Sequence, residues 1–129
     1  MSTAIMGSGK QYIYIDTEHI NELTDGDTEL IVQILTAAVN TLPDDLQKLT
    51  TAINTGNTEH TRFYAHKLKG SFYFIGGRRL GDAFATIERY STDGASLHLI
   101  PAIFWPLLRD ARKAQDELKE LLKDMDTAS

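Results

Sequence analysis

Thr58-Glu59-His60-Thr61-Arg62-Phe63-Tyr64-Ala65-His66-Lys67-Leu68-Lys69-Gly70-Ser71-Phe72-Tyr73-Phe74-Ile75 is the stretch that decides the fold. At about 100° per residue, Leu68, Phe72 and Ile75 fall on one stripe. The spacing predicts a helix over about 58–75 with that stripe as its core face, and it turns His66 away from the core. The same projection places Glu59, Arg62, Phe63, Lys69, Gly70 and Tyr73 within about 60° of His66. These residues share one exposed face with the histidine.

Outward from this helix the chain reads as further helices. Gly76-Gly77 separates it from a helix over about 78–90, and Ser91-Thr92-Asp93-Gly94 separates that one from a last helix running from about Leu97 or Pro101 to Lys123. On the other side, Gly56-Asn57 closes a helix with Leu46, Leu49 and Ile53 on its core face, in which Asp44 and Asp45 sit at the positive end. Before it, Asp27 or Thr28 caps a helix carrying Leu30, Ile31, Ile34, Leu35, Ala38 and Leu42, which Pro43 is expected to stop. Pro106 is expected to bend or restart the last helix. Tyr12-Ile13-Tyr14-Ile15 reads as an extended entry segment packed on the bundle, ending at a short helix capped by Asp16 or Thr17.

Short connections between long amphipathic helices imply an antiparallel arrangement. The expected fold is all-α: an antiparallel four-helix bundle with an additional short N-terminal helix and a long C-terminal helix. Residues 1–11 and 125–129 are expected to be flexible tails around one domain over 12–124.

Composition narrows the function. Of 129 residues, 42% are hydrophobic and 24% charged, a globular balance in one domain's length. Cysteine is absent, which excludes disulfides, thiolate zinc sites and cysteine nucleophiles, and suits a reducing cytoplasm. No stretch approaches the ~18 apolar residues of a membrane span, and the first residues lack the features of a signal peptide. A net charge of −5 argues against a nucleic-acid partner. Yet between His60 and Gly81 there is no Asp or Glu, while Arg62, Lys67, Lys69, Arg78 and Arg79 all fall there. An acidic chain thus carries one basic segment, and it surrounds His66.

Each residue on that face has a plain and a chemical reading. A surface histidine is usually only polar, but neutral imidazole with an unperturbed pKa of ~6.5 is also a good nucleophile near neutrality. Gly70 costs a helix roughly 1 kcal/mol relative to alanine. Its missing side chain either clears an approach to the imidazole or allows close packing of a neighbouring helix. Lys69 is either a solvated lysine or a mobile point charge beside an anion on His66.

Ala65-His66-Lys67-Leu68-Lys69-Gly70-Ser71, followed by Ile75-Gly76 and Leu80, resembles the signature of the histidine-containing phosphotransfer (HPt) family. That signature is a histidine, an apolar residue, a lysine, a glycine and a small residue, with a second glycine after the helix. The resemblance extends more weakly over about residues 16–90. It implies a phosphorylatable histidine at His66, a phosphoryl-stabilising lysine at Lys69, an access glycine at Gly70 and a turn glycine at Gly76. Glu88 falls where the family often has Gln or Glu facing the ring, so it would accept from Nδ1 and leave Nε2 to attack, unless it is an ordinary surface glutamate. Phe72, Tyr73 and Phe74 depart from the small residues commoner in the family.

The function this implies is a monomeric phosphocarrier in a two-component phosphorelay. Such a protein accepts a phosphoryl group from a receiver-domain aspartate and passes it to another receiver. Partners would be receivers of response regulators or of a hybrid sensor histidine kinase, docking on Arg62, Phe63, Lys67 and Tyr73. No cofactor is expected on this chain, Mg²⁺ belonging to the receiver, and no ATP-binding segment is visible, so it would not act as a kinase. Met1 and a complete-looking bundle favour a free-standing protein. The rival is a helical adaptor that docks a partner through the Phe63/Tyr73 face without chemistry. His19, His60 and His98 lack metal-ligand spacing, and Gly7-Ser8-Gly9-Lys10 lacks the Ser/Thr and leading glycine of a phosphate loop.

Overall fold

The computed structural model describes residues 11–128, so the expected tail over 1–11 lies almost wholly outside the described residues. Five α-helices follow in order: α1 Thr17–Thr24, α2 Thr28–Asn54, α3 Thr58–Phe74, α4 Arg78–Ser91 and α5 Ile100–Ala128, with a 3-10 helix, Gly94–Leu99, leading into the last. The starts of α1, α2, α3 and the 3-10 helix are set by short polar side chains that bond otherwise unpaired backbone N–H groups, while α4 begins at Gly77 without a side-chain cap. Asp16 accepts from the amides of Glu18 and His19, Asp27 from Leu30, Asn57 from His60 and Asp93 from Ala95.

Helices α2, α3, α4 and α5 close into a ring, α2 packing on α3 and α5, and α4 on α3 and α5. From the middle of α3 to its end, partners step back along α4, His66 meeting Glu88 and Tyr73 meeting Asp82, so these two helices run antiparallel. One apolar stripe from each helix fills the centre: Leu35, Leu42 and Leu46 from α2, Leu68 and Phe72 from α3, Phe84 and Ile87 from α4, Phe104, Leu118 and Leu121 from α5. Phe72 and Phe84 stack with centroids 5.3 Å apart, joining the last turn of α3 to α4. Truncating a buried phenylalanine typically costs about 3–5 kcal/mol.

Three boundaries differ from expectation. Pro43 does not stop a helix, because α2 is continuous from Thr28 to Asn54. The ring is on the solvent side, and the stripe Ile31, Leu35, Leu42, Leu46, Leu49 stays buried across it. Packing of that stripe outweighs the lost backbone bond, so Asp44 and Asp45 are not at a helix start. Pro106 likewise lies on the exposed side and does not restart α5. Finally, the expected end at 124 falls inside α5, which continues to Ala128 with Met125 buried against the core.

The entry segment packs as expected, with Ile15 buried and Tyr12 and Tyr14 against the core. Its anchor is one carboxylate on α5. Glu117 accepts backbone N–H bonds from Ile13 and Tyr14 at 2.8 Å and from Ile15 at 3.2 Å. The Tyr14 hydroxyl donates to Asp110, and Arg79 lies over the Tyr14 ring. Asp16 then donates its backbone N–H to the Ile75 carbonyl at the α3–α4 turn. At that turn Gly76 has φ +79°, and a Cβ there would lie 2.5 Å from Asp16 Cβ, so only glycine lets the entry segment pass so close.

Candidate functional site

The site sits on the seam between α3 and α4. The core stripe Ala65, Leu68, Phe72 and Ile75 is buried, and it fixes the rotation of α3 so that the side chain of His66 is 66% exposed. From α4, Ile87 is held in the core, which brings the adjacent Glu88 to the seam with a quarter of its side chain in solvent.

Glu88 holds two partners at once. Oε2 lies 2.8 Å from His66 Nδ1, and Oε1 lies 2.9 Å from Lys69 Nζ. Burial raises the Glu88 carboxyl, but the hydrogen bonds from Lys69 and then His66, with their charges, outweigh it and hold the group below its usual value. An ionised carboxylate only accepts, so the contact assigns the ring proton to Nδ1. Nε2 has no hydrogen-bond partner among the described residues, on a ring whose side chain is two-thirds exposed.

Gly70 lies one turn beyond His66, and a Cβ built on it would meet nothing within 4 Å. That removes close helix packing as the reason for glycine at this position. The packing glycine of the seam is Gly81, which the sequence reading did not single out. A Cβ there would lie 2.5 Å from the Tyr73 ring carbons Cδ1 and Cε1. Its clue is small size within the first turns of a strongly amphipathic helix.

The four residues expected to meet a partner separate in space. Arg62 is exposed, and Phe63 is 60% exposed with its ring edge-to-face on Tyr64 at 4.9 Å. Tyr73 lies over Gly81 and donates its hydroxyl to Asp82, which keeps that phenol above its usual pKa. Lys67 turns to the other side of α3, where Nζ meets Asp45 Oδ1 at 3.0 Å. Asp45 is a buried carboxylate, 3% exposed, and its Oδ2 has no hydrogen-bond partner. It was detectable as an acid in phase with Leu42, Leu46 and Leu49.

Of the other histidines, His60 packs edge-to-face on Tyr64, and His19 lines a cavity with Tyr73 and Asp82 at the far end of the seam. Among the described residues no cluster of His, Asp and Glu is arranged to hold a metal ion, and no helix is long and apolar enough to cross a membrane.

Neither the curated proteins nor the solved structures include a match to this chain. The sequence model of one family, the Hpt domain, matches residues 33–128, from the second turn of α2 to the end of α5. With that match over most of its length, and with an all-helical bundle carrying an outward histidine on α3, the chain belongs to the Hpt domain family, whose members carry phosphoryl groups in phosphorelays.

Proposed function

We propose that His66 is the phosphoryl carrier of this chain: Nε2 accepts the group from a receiver-domain aspartate and later yields it to the aspartate of another receiver. The observation that carries this reading is the Glu88 contact on Nδ1, which puts the free lone pair on Nε2. Open space over Gly70 supports it, because the incoming aspartyl phosphate needs an unobstructed line to the ring. Lys69 supplies a cation one turn away, and the receiver supplies Mg²⁺ and its acidic pocket. Transfer of this kind depends on positioning and charge stabilisation, so this partner needs few groups.

Around the ring, Arg62 and Phe63 offer charge and apolar surface for a receiver's acidic face, while Tyr73 shapes the far end of the seam. The chain acts as a carrier with no ATP-dependent step of its own. A pure adaptor has no need of an oriented imidazole.

The test is incubation with a panel of phosphorylated receiver domains. Label is expected on wild type as an acid-labile, base-stable adduct and is expected to vanish in His66→Gln. Label that persists in the variant overturns the assignment.

A further inference from the structure

In the unloaded site one carboxylate serves two donors, since Oε2 of Glu88 engages Nδ1 of His66 and Oε1 engages Lys69 Nζ. This has a consequence for the loaded site, which rests on the phosphocarrier reading above. When Nε2 attacks, its lone pair becomes the N–P bond, the aspartyl O–P bond breaks, and the receiver carboxylate departs with that bonding pair. The Nδ1 proton has not moved, so the ring becomes an imidazolium. If that proton then escapes to water, breaking the N–P bond must expel an imidazolide anion, a far poorer leaving group than neutral imidazole.

We propose that Glu88 retains the proton on Nδ1 after loading, so that His66 holds the phosphoryl group as an imidazolium–carboxylate pair and hands it on without first collecting a proton. In the reverse step the N–P pair returns to Nε2 and the ring is again neutral with Nδ1–H, so no proton is gained or lost in either direction. Glu88 is thus a positioning residue for protonation state as well as for ring orientation.

The other charges near the ring do not substitute for it. On α3, Arg62 one turn before and Lys69 one turn after are cations that disfavour a charged ring, and Glu59 lies two turns away. From α2, Asp45 is engaged by Lys67, and on α4 the Arg89 guanidinium lies over the Tyr90 ring. Glu88 is the one carboxylate in contact with the imidazole among the described residues.

The experiment loads histidine-¹⁵N-labelled protein with phosphoramidate, a small donor that needs no receiver, and follows the ring nitrogens of phosphohistidine from about pH 5 to 9, across the imidazole range. In Glu88→Gln the titration midpoint is expected at least about one pH unit below that of wild type, the size of shift an adjacent opposite charge produces. At a pH above both midpoints, where the reactive protonated fraction falls tenfold per unit, wild type is also expected to lose phosphate faster, by about tenfold per unit of separation. Glu88→Ala, which removes the acceptor altogether, must show the same drop. Equal midpoints in wild type and both variants overturn the inference while leaving His66 as the carrier. Failure of His66 to take phosphate from phosphoramidate overturns the carrier reading, and this inference with it.

Discussion

Lys67 and Lys69 are two residues apart on one helix, and each ends on a carboxylate at about the same distance, 3.0 and 2.9 Å. Their surroundings differ. Lys67 reaches toward α2 and meets Asp45, which is shut inside the bundle, whereas Lys69 reaches toward α4 and meets Glu88, which keeps contact with solvent and with the imidazole. A buried carboxylate with one oxygen already unpartnered depends on its remaining cation. A half-open carboxylate shared between two donors can exchange them. The side of α3 on which a lysine emerges therefore separates a fastening between helices from a movable charge.

The sharpest break of this comparison is Lys67→Met, which keeps the stem and removes the ammonium. It is expected to destabilise the domain by about 1–3 kcal/mol, the cost of leaving a buried acceptor unsatisfied. Phosphoryl loading per folded molecule should be unchanged. Thermal melts alongside loading with labelled receiver decide this, and a loading defect in fully folded Lys67→Met would return Lys67 to the partner surface.

The glycines of the seam give a second contrast of nearly the same size. Gly81→Ala forces a methyl against the Tyr73 ring, and overpacking of this kind typically costs about 1–3 kcal/mol. Gly70→Ala enters open space and is expected to stabilise by up to about 1 kcal/mol, because alanine suits a helix better. Gly70→Gln should melt near wild type yet load slowly, its side chain lying over the ring. Chemical denaturation of the three variants, with loading rates for the Gly70 pair, measures both halves.

Lys69→Ala is the counterpart of Lys67→Met on the open side. Stability should change by about 1 kcal/mol or less, since the pair stays in contact with solvent and Glu88 keeps its bond to His66, while transfer slows or the phosphohistidine becomes shorter-lived. Wild-type kinetics in that variant would make Lys69 an ordinary surface lysine.

The smallest expected effect is in pH dependence. Glu88 titrates below its ordinary 4.5 in the folded protein, so its pairing contributes fully above that value and is lost as pH falls through the lowered one. The stability difference between wild type and Glu88→Gln should accordingly shrink in acid melts below about pH 4.5. A difference that is flat across that window would mean the ion pair contributes nothing to folding.

How much of this was legible follows from the range over which each feature is determined. Helix starts at Asp16 and Asp27 and the outward face of α3 are local, set by caps and by a stripe within one segment, and they were readable from sequence, whereas Asn57 and Asp93 were read only as breaks although each caps the helix that follows. Glu88 was reachable because family resemblance placed it opposite His66. Pro43 misled because proline is a local rule, and the buried stripe that carries α2 through it is a tertiary fact. The Asp45 partner of Lys67 lies 22 residues away, and the Tyr73 ring that makes Gly81 necessary comes from another helix. Neither pairing is written in spacing along one segment.

The carboxylate of Glu117 has one further consequence. Three consecutive amides, those of Ile13, Tyr14 and Ile15, belong to no helix, yet their hydrogens are held by a side chain from the middle of α5. In deuterated water they should exchange on the timescale of the last helix rather than of a chain terminus. A truncation that removes them, or a fusion that pulls them aside, would be felt first as faster exchange along α5, at the opposite end of the sequence.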